Sequence, residues 1–253
     1  DEKPAVEEVD DCEEQHEELT QEQLRFKLMR KETSFEVLPQ GEDQPWKIIR
    51  NLQVLQDEIV SGVPFAQENY TEELKKASKV MLELEDDTWN FERNLDAIAM
   101  FMMFGGGTEL GYKALKKTNL DIPQKVFLEA ALSFVERDIG RANGLMQLID
   151  YSILPPSMRA QLVLAKSLTL SSSSLKFSRQ YLMEARRLAP STLVEEAALR
   201  RLIRISGETK SFEDFQSFYR AYVSRFSKSH YFNDFVRNIG FAAVRMPRKN
   251  EGE

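Results

Sequence analysis

Hydrophobic residues recur at helical spacing through most of the chain after residue 45. Ile48, Leu52, Leu55 and Ile59 are three or four residues apart, which places them on one face of a helix. The same spacing, bounded by glycine, proline and serine, predicts further helices over 65–84, 89–104, 108–117, 121–135, 141–151, 155–170, 175–189, 192–206, 212–226 and 232–241. Runs that alternate β-branched and polar residues are nearly absent, so the sequence predicts an all-α fold.

A signature of a small residue, a leucine and a proline recurs three times in the middle of the chain. It reads Gly111, Leu115, Pro123, then Gly144, Leu148, Pro156, then Ser178, Leu182, Pro190. The units are 33 and then 34 residues apart, a period typical of tetratricopeptide-like helix pairs. We therefore expect an α-solenoid of stacked antiparallel helix pairs. In such a stack the small residue, for example Gly144, lies where two helices touch, and the stack offers a binding surface rather than a catalytic cleft.

Residues with capping side chains precede several of the predicted helices. Asp121 comes before Pro123 and Gln124, which is typical of a capped helix start with proline in the first turn. Thr192 and Glu195 have the T-x-x-E spacing of a capping box. Ser211 and Asp214 repeat that spacing before the next helix.

The charge is unevenly distributed and divides the chain into two parts. Residues 1–45 hold 15 acidic and 5 basic residues, a net charge of −10, whereas the whole chain carries −7. Low hydrophobicity and like charge predict a largely flexible acidic arm over residues 1–44, followed by a helical repeat domain over 45–246. Within the arm, residues 23–36 alternate basic and apolar side chains and could form a short strand or dock on the body. The body is nearly neutral and lacks the basic surface typical of nucleic-acid binding.

Neither a disulfide nor a membrane span is expected. Cys12 is the single cysteine, so no intrachain disulfide is possible. The longest strongly apolar run, 97–104, is far shorter than a span of about 20 residues. The chain begins at Asp1 rather than Met, which is expected either of a protein whose leader has been removed or of a trimmed chain.

The candidate chemical motifs do not add up to a catalytic, cofactor-binding or metal site. The glycines 105–107 lack the spacing of a dinucleotide loop or a P-loop and are interpreted as a break between helices. His16 and His230 are the only histidines and lie far apart in sequence. Acidic residues around 83–87 fit helix caps, which is the more common role of such a cluster at a helix junction.

Two groups of side chains are candidates for partner binding. Arg200, Arg201 and Arg204 crowd one predicted helix and could bind carboxylates of a partner. The same arginines also fit a solvated helix face on which Arg200 pairs with Glu196 one turn earlier. The aromatic residues of 212–226 could line a peptide groove, although aromatic residues at helical spacing more often belong to a core. The methionines of 100–103 are likewise interpreted as core residues.

Several blocks of the sequence resemble the MotC family of α-proteobacterial motility proteins. They are Pro45–Asp57 (PWKIIRNLQVLQD), Val60 and Gly62, Arg93–Ala97 running into the triple glycine, Ala189–Pro190 with Val194–Arg201 (VEEAALRR), and Tyr222, Arg225, Phe226, Ser229, Tyr231 and Phe235. The resemblance covers roughly residues 45–240, and its blocks at 45–57 and 189–201 are the more specific ones. The arm at 1–44 is interpreted as lying outside the matching pattern.

The resemblance implies a non-catalytic, periplasmic accessory protein of the flagellar motor. Such a protein would bind the periplasmic part of the stator protein MotB and support stator function, without cofactor or metal. Two alternatives stay open at this point. One is a generic tetratricopeptide-like adaptor for peptidoglycan or another motor protein. The other is a helical-solenoid hydrolase of cell-wall glycan, which would need a glutamate held in an apolar pocket.

Overall fold

The computed structural model describes residues 44–116, 120–170 and 174–244, with side chains up to 239. The expectations for the acidic arm, Cys12 and His16 lie outside these residues, as does most of the serine turn at 171–174. Among the described residues there are eleven α-helices and no strand, so the predicted all-α class is confirmed.

The helices follow one another with short connections. They are α1 Pro45–Ser61, α2 Ala66–Glu83, α3 Glu92–Met103, α4 Glu109–Leu115, α5 Ile122–Val135, α6 Ile139–Leu148, α7 Pro156–Thr169, α8 Leu175–Leu188, α9 Leu193–Glu208, α10 Phe212–Phe226 and α11 Phe232–Val244. Short 3-10 helices at Asp86–Asn90 and Tyr151–Ile153 precede α3 and α7. The predicted helix over 89–104 therefore begins at Glu92, after a separate 3-10 turn.

Local sequence signals set several helix ends as predicted. Asp121 accepts a hydrogen bond from the backbone N–H of Gln124 at 2.8 Å, and Gln124 Oε1 accepts one from the N–H of Asp121. This reciprocal pair satisfies two donors that the first turn of α5 leaves free. Gly62 ends α1 with φ of 76°, a left-handed conformation that glycine adopts without a steric cost. The glycines 105–107 lie between α3 and α4, as the helix-break interpretation expects.

The second predicted capping box is wrong. The Thr192 side chain does not cap α9; its hydroxyl instead donates to the carbonyl of Ala189 at 2.7 Å. Glu195 accepts from the N–H of Ser191 and turns its carboxylate towards arginines of other helices. Ser211 also makes no side-chain cap, and Asp214 pairs with Arg179 of α8 at 2.8 Å. In both places the acidic residue of the predicted box takes part in a tertiary ion pair.

Successive helices pack against each other along the chain. The helical hairpins α1–α2, α5–α6, α7–α8 and α9–α10 are in contact, and α8 also packs on α9. Further contacts join α3 to α5 and α9 to α11. A further contact joins helices that are distant in the sequence: α1 packs on α9. Next to it, the backbone N–H of His230 donates to the carbonyl of Ile59 at 3.2 Å. The first helix of the described residues therefore contacts the part of the chain around α9 and α11.

Two apolar clusters form the interior. The larger one centres on α3 and α5 and includes the buried Met100 and Met102, which confirms their predicted core role. The smaller one centres on α9 and α10. It contains Tyr222 and Phe226 of the aromatic run, whereas Phe212 lies at the surface with 45 % of its area exposed. The core interpretation therefore holds for the inward face of α10 and not for the whole run.

The repeat signature is right at two of its three small residues and wrong at the third. A Cβ on Gly111 would lie 2.6 Å from the sulfur of Met102, so α3 and α4 approach closely there. Ser178 is buried and donates to the carbonyl of Ser167 across the α7–α8 contact. Gly144 is exposed, and a Cβ there would meet nothing within 4 Å. In α6 the buried residues are Ala142 and Met146, so the touching face is shifted by two residues from the predicted one.

Candidate interaction surface

The three predicted partner-binding arginines lie on α9 in three different environments. The guanidinium of Arg200 lies over the ring of Tyr231, 4.8 Å from its centroid, and its Nε is buried without a hydrogen-bond partner. Arg201 is half-buried, and burial lowers the pKa of its guanidinium. Arg204 is exposed and pairs with Glu208 one turn later, at 3.3 Å. These arginines therefore do not form one uniform exposed strip, and of the three only Arg204 is exposed.

Glu195, five residues before Arg200, links α9 to two other helices through ion pairs. Its side chain is 1 % exposed. Both carboxylate oxygens accept from Arg225 Nη1 of α10, at 2.7 and 2.8 Å, and Arg186 Nε of α8 lies 3.7 Å away. A buried carboxylate is tolerated only when it is paired in this way. The first glutamate of the VEEAALRR block thus has a structural role that the sequence analysis missed.

Glu196 is also buried, which contradicts the interpretation of a solvated pair with Arg200. Its Oε1 accepts from the hydroxyl of Tyr222 of α10 at 2.9 Å, while Oε2 has no hydrogen-bond partner. Burial raises the pKa of this carboxyl, and the nearby Arg200 charge opposes the rise only in part. The same burial raises the pKa of Tyr222. This buried polar group ties α9 to α10 but opens into none of the clefts described below.

A groove runs between α1, α3, α7 and α9, where the first and last parts of the described chain meet. It consists of two adjoining clefts that share Arg50 and Gln53 of α1 and Ser157 of α7. The larger cleft has a volume of about 400 Å³. The walls mix apolar and polar side chains, with Met100 and Met158 in one cleft and Gln56, Gln161 and Thr192 in the other. Such a mixed lining suits a segment of protein chain, which brings both apolar side chains and backbone amides.

Aromatic and amide side chains hold the walls of this groove in place. At one end the guanidinium of Arg93 stacks on Trp46, 3.9 Å from the ring centroid. Behind the other end, Tyr70 accepts from Gln56 Nε2 at 2.9 Å and donates to the carbonyl of Phe104 at 2.7 Å. Burial raises the pKa of Tyr70 to about 12, so its hydroxyl stays protonated and keeps donating. The groove is therefore a largely preformed surface.

Two of the sequence blocks that resemble the MotC family lie on opposite sides of the smaller cleft. Arg50, Gln53, Gln56 and Asp57 come from the block at 45–57, and Ala189, Thr192, Leu193 and Val194 come from the block at 189–201. Only three of its other lining residues lie outside these blocks: Phe104, Ser157 and Gln161. Because the 131 residues 58–188 separate the two blocks, sequence spacing alone could not bring them together. The contact between α1 and α9 does so.

The described residues offer no alternative centre for metal chemistry or membrane insertion. No group of three or more histidine, cysteine or acidic side chains within them could hold a metal ion. In the same part of the chain, every helix is too short or too polar to cross a bilayer. His230 is on the surface, and its Nε2 is hydrogen-bonded to the carbonyl of Val63 at 2.7 Å. It lies in the turn before α11, against the end of α1.

Comparison with known proteins gives one family. The chain matches the family model described as chemotaxis protein MotC over residues 12–252. The match includes residues 12–44, so the expectation that the whole acidic arm lies outside the family pattern is wrong. No curated protein and no solved structure matches the chain. Because the family model spans nearly the whole sequence, the chain belongs to the MotC family and is a motor-associated protein of chemotaxis and flagellar motility.

Proposed function

We propose that this protein is a periplasmic, non-catalytic accessory protein of the flagellar motor. It binds the periplasmic part of the stator protein MotB and supports stator function. The observation that carries the proposal is the match to the MotC family over residues 12–252 together with the resemblance described above. A stack of helix pairs that presents a preformed groove is the kind of scaffold that binds protein chains.

The groove between α1 and α9 is the preferred binding site within this proposal. The two specific blocks of the resemblance line it, although they are distant in sequence. Residues of a structural core would be expected to be buried, but Arg50 and Ser157 are exposed at this surface. Their position on opposite sides of a mixed polar and apolar groove supports a role in binding a partner segment.

The arginines of α9 form a second proposed contact. Arg204 can meet carboxylates of MotB directly, since its only described partner is the exposed pair with Glu208. Arg201 adds a second positive charge beside it. Arg200 contributes less directly, because it packs on Tyr231. Replacing all three with glutamate would also place a carboxylate beside the buried Glu196, so the binding test uses Arg204→Glu alone.

The solenoid arrangement belongs to this proposal as well. The packing of α5 to α10 through successive neighbours supports a stack of helix pairs, which adds one pair at a time to a continuous core. The contact between α1 and α9 adds α1 to this stack, and the groove lies beside that contact.

A motility assay tests the proposal in cells that lack the gene. Complementation with the wild-type gene should restore swimming. Ser157→Trp, which places a bulky ring in the groove at an exposed position, should not restore it. Ser217→Trp makes the same change at an exposed position of α10 outside the groove and should restore swimming. Far-ultraviolet circular dichroism confirms that both variants are folded.

Two results would contradict the proposal at different levels. Normal swimming without the gene would exclude a role in stator function. Full complementation by Ser157→Trp, at wild-type protein level, would leave the motor function standing but exclude the groove as its site.

A further inference from the structure

Lys166 of α7 is buried although it carries a charge. Only 6 % of its area is exposed, and no other lysine or arginine of the described residues is buried to this degree. A buried lysine normally pairs with a carboxylate, because a charge taken out of water without a hydrogen-bonded partner is costly. The ammonium of Lys166 forms neither an ion pair nor a hydrogen bond with any residue that the structure describes.

Two tyrosine rings lie beside this ammonium. Its Nζ is 5.2 Å from the ring centroid of Tyr151 and 5.0 Å from that of Tyr181. Tyr151 belongs to the 3-10 helix before α7 and Tyr181 to α8, so three elements meet at the ammonium. We name Lys166, Tyr151 and Tyr181 the lysine site. The ring faces attract the cation, but its three N–H donors keep their capacity to bind an anionic oxygen.

The other charged groups around the lysine site already have partners. Arg159, two turns before Lys166 on α7, lies 5.6 Å from the ring centroid of Tyr151. Its guanidinium pairs with Glu184 of α8, whose Oε1 accepts from Nε at 3.1 Å and also from Nη2. Asp150, directly before the 3-10 helix, accepts from the N–H and the hydroxyl of the serine two residues later. The positive charge of Lys166 is therefore left without a carboxylate of its own.

The lysine site lies at the surface rather than inside the core. Tyr151 and Tyr181 are half-buried, as are Arg159 and Glu184 beside them. Burial raises the pKa of Tyr151, and the neighbouring Tyr181 and Glu184 raise it further, so its hydroxyl stays protonated and remains a hydrogen-bond donor. An anion that approaches from solvent thus meets an ammonium that is already held in place by packing.

The charge balance indicates which anion the lysine site fits. A carboxylate brings one negative charge and two acceptor oxygens, which match one ammonium that lacks a partner. A phosphate group carries nearly two negative charges at neutral pH and would place the excess beside Glu184. We propose that the lysine site binds a carboxylate of another molecule, with Lys166 as its cationic contact. The carboxylate belongs either to an acidic side chain of a partner or to the C-terminus of a chain.

This site is separate from the groove. Ser157, which lines the groove, precedes Lys166 by nine residues, or about two and a half helical turns. The two residues therefore lie on opposite sides of α7. The inference goes beyond the proposed function and does not depend on it, because a carboxylate bound at the lysine site leaves the groove open.

A nuclear magnetic resonance titration of the whole 253-residue chain, with labelled tyrosine rings, tests the proposal. Three capped tripeptides serve as probes. Acetyl-Ala-Glu-Ala-amide presents a side-chain carboxylate, acetyl-Ala-Ala-Ala presents a terminal one, and acetyl-Ala-Gln-Ala-amide presents none. The ring signals of Tyr151 and Tyr181 should shift saturably with at least one carboxylate peptide and not with the glutamine peptide. The carboxylate peptide that binds more tightly identifies the source.

Two matched variants locate the binding. Lys166→Met keeps the length of the side chain and removes its charge, and it should weaken binding about tenfold or more. Lys176→Met makes the same change at an exposed lysine of α8 and should bind as the wild type does. Circular dichroism shows whether both variants fold.

Three results would overturn the proposal. The first is the absence of any response of the wild-type tyrosine signals to either carboxylate peptide. The second is an equal response to the glutamine peptide, which would show that the carboxylate is not what binds. The third is wild-type affinity in a folded Lys166→Met chain. The first two need no variant, so they decide the question even if Lys166→Met does not fold.

Discussion

Replacing Glu195 with alanine should destabilise the protein more than any change at an exposed ion pair. The substitution removes the carboxylate that joins α9 to Arg225 of α10 and to Arg186 of α8. It also removes the acceptor for the N–H of Ser191. All of these contacts converge on a side chain that is 1 % exposed.

The size of the effect follows from the exposure of the partners. Removing one member of a buried ion pair costs about 3–5 kcal/mol, because the other charge is left buried. Here Arg225 is 46 % exposed and can turn to water, whereas Arg186 is 19 % exposed and cannot do so fully. We therefore expect a loss of about 2–4 kcal/mol in the free energy of unfolding. For a domain of this size, that lowers the melting temperature by roughly 5–15 °C.

Urea denaturation followed by circular dichroism at 222 nm measures this loss. The matched control is Glu208→Ala, which removes a carboxylate from the same helix but from an exposed pair, with Arg204 59 % exposed. That control should change the stability by less than about 0.5 kcal/mol. Equal midpoints for the two variants would refute the assignment of Glu195 as the link between α8, α9 and α10.

Three further substitutions test other parts of the structure. Gly144→Ala should stabilise the protein by about 0.5–1 kcal/mol in thermal melts, because a Cβ there meets nothing and alanine favours the helix. A loss of stability would instead indicate that Gly144 lies in a contact between helices. Burial raises the pKa of Glu196 from its ordinary 4.5, so its ionisation disfavours folding as pH rises. Glu196→Gln should therefore be more stable than wild type at pH 7, with the difference vanishing below about pH 4.5; an unchanged difference across that range would argue against burial as the cause. Tyr70→Phe should cost about 1–2 kcal/mol, since it leaves the carbonyl of Phe104 without its donor, and unaltered stability would mean that water replaces the hydroxyl.

The sequence was most informative where structure is decided locally. Helix positions follow from apolar spacing and from glycine and proline, and the Asp121 cap depends on residues three apart, so each was predicted. The bounds were least accurate at 141–151, where the helix spans Ile139–Leu148, and at 89–104, where the residues before Glu92 form a 3-10 turn instead.

Errors arose where tertiary contacts compete with local patterns. Thr192 and Glu195 have the spacing of a capping box, but ion pairs with two other helices hold Glu195 elsewhere. Gly144 fits the repeat period, yet the face of α6 that packs is set by Ala142 and Met146. In both places the spacing predicts that a contact can form. It does not predict which helix face packs or which partner the side chain binds, because these depend on the other helices.

The candidate site was predicted only in part. The arginines of α9 were identified from their clustering, but their different environments depend on Tyr231 and Glu196. The groove was missed because it arises from the packing of α1 on α9, a contact between distant segments that no periodicity encodes. Its one signal in the sequence was that the two most specific blocks of the family resemblance lie on these two helices.

A direct binding measurement between the whole chain and the periplasmic domain of MotB tests the central claim. Isothermal titration calorimetry with both purified proteins should give saturable binding. The affinity should fall for Ser157→Trp in the groove, fall less for Arg204→Glu, and stay at the wild-type value for Ser217→Trp. Absence of binding by a chain that circular dichroism shows to be folded would contradict the claim that this member of the MotC family acts through MotB.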